Sequence, residues 1–241
     1  RLPGLRRDRE VDFVIANAEN VADGVGITSR IARKLFEAGV DVITLGNHAH
    51  RQREVYQYLN TEPRIIRPAN LPAASPGRGE TVVRAADGTK VTVINLLGRM
   101  HLEPAVSPFE AAPALVEAAQ LRTPVVLVDF HAEVTSEKVA MGRLLDGSAT
   151  AVIGTHTHIQ TNDATLLPGG TAYLTDAGMT GPHDSVIGVR TDVILARFTS
   201  GLPSRFEPAE GDVRIEGAVI ECGSDGRATS IETFRLRESE S

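Results

Sequence analysis

Four apolar runs end abruptly in polar, metal-competent side chains, and this constrains the fold more than any other feature of the chain. Val11–Ala16 leads into Glu19 and Asn20, and Val40–Leu45 into Asn47 and His48. Val125–Phe130 leads into His131 and Glu133, and Ala149–Ile153 into His156 and His158. The runs are rich in β-branched residues, the pattern of strands buried on both faces. Helical spacing separates them. Thr28 is placed to cap a helix carrying Ile31, Leu35 and Ala38 and closed by Gly39. Glu54–Leu59, Pro108–Ala119 and Thr135–Leu145 also read as helices. Ile65–Ile66 and Ala172–Thr175 read as short strands, and Thr81–Arg84 with Lys90–Leu96 as a hairpin turned at Asp87–Gly88. Val213–Glu221 and Ala228–Leu236 form a second antiparallel pair across Gly223–Gly226. Strands alternating with helices, with hairpins interleaved, predict a layered α/β sandwich of mixed sheets, read as one domain over residues 1–241.

In open α/β sheets, ligands bind beyond the carboxyl ends of the strands. The four clusters are therefore expected to meet at one sheet edge, and four of the seven histidines fall in them. Singly they are ambiguous. His131 alone reads most simply as a half-buried, hydrogen-bonded histidine, and His156 with His158 as two solvated loop residues. Jointly they favour a metal, because carboxylates and imidazoles crowded together unpaired would be desolvated without compensation. Imidazole, carboxylate and amide donors without thiolate suit Mn²⁺, Fe²⁺ or Zn²⁺. Glu19, with two oxygens, is the candidate bridge, and two ions about 3.5–4 Å apart can clamp a phosphoryl group. An amidohydrolase-type site fits less well: it wants its His-x-His on the first strand and a bridging lysine, and here the pair comes late with no lysine at a strand end.

Composition removes other classes. With 25 Lys plus Arg against 31 Asp plus Glu, the net charge of −6 leaves no polybasic footprint for bulk nucleic-acid binding. Aromatics at 4% and the absence of Trp argue against stacking platforms for single strands. The lone Cys222 fits a reducing compartment. No apolar run approaches the roughly 18 residues of a membrane span, and the charged opening Arg1–Glu10 lacks a signal-peptide core. The expected location is the cytoplasm.

Ala18–Glu19–Asn20, Gly46–Asn47–His48, Asp129–Phe130–His131–Ala132–Glu133 and Gly154–Thr155–His156–Thr157–His158 occur in the order and spacing of the calcineurin-like metallophosphoesterases. The sequence resembles the bacterial YmdB-like subfamily more closely still. Arg67–Asn70, Asn95–Arg99, Thr135–Lys138, Thr175–Pro182 and Ala209–Gly211 extend the likeness over the whole chain. The resemblance implies a four-layer α/β/β/α sandwich, two mixed β-sheets flanked by helices. It also implies two divalent transition metals (Fe, Mn or Zn) and hydrolysis of a small phosphodiester substrate, with 2′,3′-cyclic nucleotides the class the subfamily suggests. Carried over by position, Glu19 would bridge both ions, with Asn47, His131 and His156 on one and His158, with Asn20 near it, on the other. His48 would be catalytic rather than a ligand, standing over the phosphate to stabilise the transition state or protonate the leaving oxygen. Arg99 is offered as a phosphate contact. The Gly- and Pro-containing loop Gly178–Asp184 reads as a substrate lip that would bring in Asp184. A homo-oligomer is expected.

The sequence departs from that family in two places. The family opens with a strand ending in Gly-Asp, whose Asp is a metal ligand, and no such segment precedes Val11. The expectation is a chain truncated at its N-terminus relative to the family; the alternative is a catalytically impaired relative with a binding or regulatory role. A missing strand would leave Val11–Ala16 as an open sheet edge, a liability that favours truncation. Second, Ala49–His50–Arg51 stands where the family has Trp-Asp, which bears on substrate contacts rather than ligands. His50 reads as an exposed residue at a helix start.

Overall fold

A computed structural model describes residues 1–238; residues 239–241, which the single-domain expectation includes, lie outside the described residues. The first third carries α1 (Leu2–Asp8), β1 (Ile15–Asn17), α2 (Ser29–Glu37), β2 (Val42–Thr44), α3 (Tyr56–Thr61) and β3 (Ile65–Ile66). Thr28 caps α2 as its sequence position predicts, its hydroxyl accepting from the Ile31 N–H at 3.3 Å. Gly39, at φ +102°, follows the helix in the left-handed region where glycine carries no Cβ penalty. The middle carries β4 (Glu80–Arg84), β5 (Lys90–Leu97), α4 (Pro108–Gln120), β6 (Val125–His131), α5 (Thr135–Leu144) and β7 (Ala151–Thr155). Then come β8 (Thr165–Leu166), β9 (Ala172–Leu174), β10 (Gly181–Pro182), α6 (Thr191–Ser200), β11 (Val213–Cys222) and β12 (Ala228–Arg237).

The strands form three hydrogen-bonded sheets: β1-β2-β3, β4-β5-β6-β7-β9-β8 and β10-β11-β12. The six-stranded sheet is mixed, with β5, β6, β7 and β9 parallel and β4 and β8 antiparallel at its edges. Alternation of side chains along a strand separates its two faces. On one face Ile94, Leu96, Val126, Val128 and Phe130 pack under Ala112 and Val116 of α4 and Met141 of α5. On the other, Val91, Val93 and Val125 meet Val42 and Ile66 of the first sheet, while Ala151 and Ala172 meet Ala228 of the terminal hairpin. The outer face of the first sheet is covered by Ala32 of α2 and Leu59 of α3. This is the four-layer sandwich, with one correction. The second inner layer is two small sheets side by side, and β1-β2-β3 is parallel throughout rather than mixed.

Other details differ from the sequence reading. β1 covers only Ile15–Asn17, and Val11, Phe13, Val14 and Ile15 are half-buried rather than enclosed on both faces, because β1 is an edge of its sheet. α1, α6 and the two-residue strands β8 and β10 have no counterpart in the expectations. α6 escapes notice because Leu195 and Phe198 lie exposed and only Ile194 is buried, so its apolar spacing marks no inward face.

The useful consequence is on the inter-sheet face. Going toward the strand ends, Ile15 gives way to Asn17, Val42 to Thr44, Leu127 to Asp129 and then His131, and Ile153 to Thr155. At one level the space between the sheets changes from apolar to polar.

Candidate metal centre

That polar level is organised by Asp129. Its Oδ1 accepts from the Thr155 hydroxyl at 2.7 Å, and its Oδ2 accepts from Asn17 Nδ2 at 2.9 Å and from the Thr44 hydroxyl. Burial pushes the Asp129 carboxyl above its usual range, against the pull of His131 and of these three donors. Thr155 also stands 2.8 Å from His131 Nδ1. The other nitrogen of the buried His131, Nε2, looks out past the end of β6.

Around His131 Nε2 lie Glu19 Oε1 at 3.0 Å, His156 Nδ1 at 3.0 Å and Asn47 Oδ1 at 3.2 Å. A single ring proton can serve one of these neighbours and leaves the other lone pairs facing each other. Glu19 Oε1 is buried and makes no hydrogen bond. Glu19, His131 and His156 bring ligand atoms within 4.8 Å of one another. A cation at the centre satisfies all four donors, so the residues fit one metal ion. Burial alone would raise the Glu19 pKa, but His131, the His48 backbone N–H and the His48 ring reverse this and bring it to about 2. Burial and the neighbouring His131 lower His156 to about 4, keeping its imidazole in the neutral form that binds metal. His156 Nε2 is in turn held by Glu133 Oε2 at 2.9 Å. Gly46 makes the convergence possible, since a Cβ there would run into the Glu19 carboxylate and the His131 ring.

Asn20, His48 and His158 stand beside this group. Glu19 Oε2 accepts from the His48 backbone N–H at 3.0 Å, and His48 Nδ1 lies 2.8 Å from Asn20 Oδ1. Asn20 Nδ2 is 3.2 Å from His158 Nε2, and His158 Nδ1 is 3.0 Å from the Ile187 carbonyl. Burial lowers the His48 pKa, with Glu19 opposing and Arg51, His131 and His158 adding to the fall. His156 and His158 both have positive φ, +102° and +65°, a strained backbone that a non-glycine residue keeps only when its surroundings impose it.

A pair that the sequence reading did not single out holds the residue between them. Lys138 Nζ and Asp176 Oδ2 are 2.7 Å apart, at 1% and 0% exposure. The same Oδ2 accepts from the Thr157 N–H at 3.1 Å and its hydroxyl at 2.8 Å. The residue between the two histidines is thus clamped to a buried ion pair. Asp129 and Asp176 each carried a sequence signal, a lone carboxylate within or just after a buried strand run, which marks a group that must find partners inside.

The remaining expected residues sit further out. Arg99 lies exposed just past β5, its backbone N–H given to the buried Glu137 at 2.8 Å, beside a shallow pocket with Pro104, Val106 and Glu110. Asp184 is exposed, its backbone N–H bonded to the Gly211 carbonyl at 3.1 Å, and the preceding loop is tied down by Met179 N–H on Glu216 Oε2 at 3.2 Å. His50 is a correction: it is half-buried, its Nε2 is 3.0 Å from the Pro76 carbonyl, and its ring meets Tyr56 edge-on. It packs the loop after Asn47 rather than facing solvent. No helix of the described residues is long and apolar enough to cross a membrane.

A family model described as YmdB-like protein matches residues 1–234. A 2′,3′-cyclic-nucleotide 2′-phosphodiesterase of Bacillus subtilis is 46% identical over 238 residues, covering 98% of this chain and 90% of that protein. Among solved structures, a hypothetical protein from Thermus thermophilus superposes with a TM-score of 0.92 at 43% identity, covering 99% of this chain and 92% of that one. A protein titled a novel phosphatase, from Mycoplasma pneumoniae, superposes with a TM-score of 0.89 at 32% identity over 98% of this chain and 86% of that one.

Proposed function

The chain belongs to the YmdB-like protein family, and from that premise we propose that it is a metal-dependent phosphodiesterase acting on small phosphodiesters, with 2′,3′-cyclic nucleotides as its substrate class. The observation that carries the reading is the meeting of Glu19, Asn47, His131 and His156 from four strand ends around one point. The substrate class follows the activity named for the Bacillus subtilis relative.

Glu19, Asn47, His131 and His156 would hold one divalent transition metal (Fe, Mn or Zn), and His158 with Asn20 a second beside Glu19. Such ions, when bound, would supply the Lewis acidity that activates a water near neutral pH and offsets charge on phosphate oxygens. The chain's own groups do the rest. Glu19, whose Oε2 accepts from the His48 backbone N–H at 3.0 Å, supplies the negative charge at the centre. His48 Nδ1 donates to Asn20 Oδ1, so Nε2 is the nitrogen that would take up a proton and then give it to a leaving oxygen. Positioned proton transfer of this kind contributes about 10²–10⁴-fold in rate. Arg99 and Asp184, both exposed on neighbouring loops, are the proposed substrate contacts.

The test is metal analysis of the purified protein together with hydrolysis of 2′,3′-cyclic AMP, before and after chelation and after return of Mn²⁺, Fe²⁺ or Zn²⁺. Close to two equivalents of metal, activity lost on chelation and activity recovered on metal return are the expected results. Hydrolysis indifferent to chelation would remove the metal from the mechanism. About one equivalent, with no turnover even of an activated phosphodiester, would make the protein a binding module on a phosphodiesterase fold.

A further inference from the structure

We infer that Asp129 is a positioning residue that acts through the Thr155 hydroxyl to fix the proton of His131 on Nδ1, so that Nε2 presents a lone pair to the centre. The inference rests on the metal reading of His131 and adds the device that prepares it. A threonine hydroxyl has one proton to give. Here that proton goes to Asp129 Oδ1 at 2.7 Å, so toward His131 Nδ1, 2.8 Å away, the same oxygen can only accept. The competing donor is accounted for. Asn17 Nδ2 lies 3.4 Å from both His131 Nδ1 and the Thr155 hydroxyl oxygen, but its two protons have nearer acceptors in Asp129 Oδ2 at 2.9 Å and the Leu45 carbonyl at 3.3 Å. Thr44 also donates to Asp129, so the hydrogen bonds around that carboxylate all run inward. A carboxylate accepts only, and it therefore sets the direction of the whole chain of bonds.

The two histidines of the centre use opposite nitrogens for the same purpose. His156 turns Nε2 to the half-exposed Glu133 and offers Nδ1; His131 turns Nδ1 to Thr155 and offers Nε2. Only the His131 arrangement is sealed between the sheets, and only it works through an intervening hydroxyl. Loss of the hydrogen-bond partner of a ligating histidine costs about 10–100-fold in metal affinity.

The experiment reads the ring nitrogens of His131 by long-range ¹H–¹⁵N correlation in metal-free, ¹⁵N-histidine-labelled protein, alongside calorimetric titration with Mn²⁺ alone. The wild-type protein is expected to show Nδ1–H. Thr155→Val should lose that tautomer and about 10–100-fold in Mn²⁺ affinity, and Thr155→Ser should restore both. Asp129→Asn can donate to Thr155, reverse the relay and place the proton on Nε2, where it blocks the centre. An Nε2–H tautomer in the wild-type protein overturns the proposal, and needs no variant to fold. An unchanged tautomer in both Thr155→Val and Asp129→Asn overturns it as well. Failure of the wild-type protein to bind Mn²⁺ overturns the metal reading instead, and the nitrogen spectrum separates the two failures.

Discussion

The Glu19–Asn47–His131–His156 group and the Asn20–His48–His158 group adjoin at the same strand ends but are built differently. In the first, Glu19 and His131 are 2% and 1% exposed, and His131 is backed by Thr155 and Asp129 between the two sheet layers. In the second, the side chains hold one another through Asn20, and His158 leans on the carbonyl of Ile187 in a loop. Strand-borne donors are set by the sheet register, His131 being paired with Leu97 on one side and Thr155 on the other. Loop-borne donors depend on a clamp. The comparison teaches that His131 is set by the core, while His156 and His158, one in each group, depend on the 156–158 loop keeping its strained backbone.

The sharpest way to break this contrast is to remove one residue from each half. His131→Ala should abolish metal uptake at the His131 position and turnover with it, a larger loss than the about 10–100-fold expected when only a ligand's partner is removed. His48→Ala should keep the metal and lower kcat by about 10²–10⁴-fold. Metal analysis and steady-state kinetics on both variants decide it, and release of metal by His48→Ala would move that residue into the ligand set. Next in size is the clamp. Asp176→Ala leaves Lys138 charged and unpaired in the core, with an expected cost of about 3–5 kcal/mol in denaturant unfolding. The second equivalent of metal should weaken before the first. Equal weakening of both would show that the two halves are held alike. The smallest effect is expected at the rim. Arg99→Gln removes an exposed charge worth at most about 1 kcal/mol, about fivefold in KM, with kcat unchanged in the same kinetic assay.

Much of the layout was legible in the sequence because buried strands carry a strong signal. Continuous β-branched runs marked β2, β6 and β7 to within about two residues, and Thr28 marked the start of α2. The residues placed after those runs are the ones that meet. Legibility fell where burial is partial. The edge strand β1 was overextended, and α6 left no trace in the apolar spacing because it turns Leu195 and Phe198 outward. At the site, the residues that converge could be named one by one, whereas the supports behind them could not. A threonine such as Thr155 or Thr44 looks the same in sequence whether it faces water or a buried carboxylate.

The chain's linear order decided which chemical groups would stand at the strand ends, because strand propensity and side-chain alternation act over a few neighbouring residues. It could not decide which of those groups would touch. Asn17 and Asp129 are 112 positions apart, and Asn47 and His131 are 84 apart. Their partnership exists only because the parallel first sheet and the mixed six-stranded sheet pack face to face on a shared apolar layer of Val42, Val91, Val93 and Val125. Sheet packing is a long-range, side-chain-averaged outcome of burial, and it is what brought separate polar strand ends into one cluster.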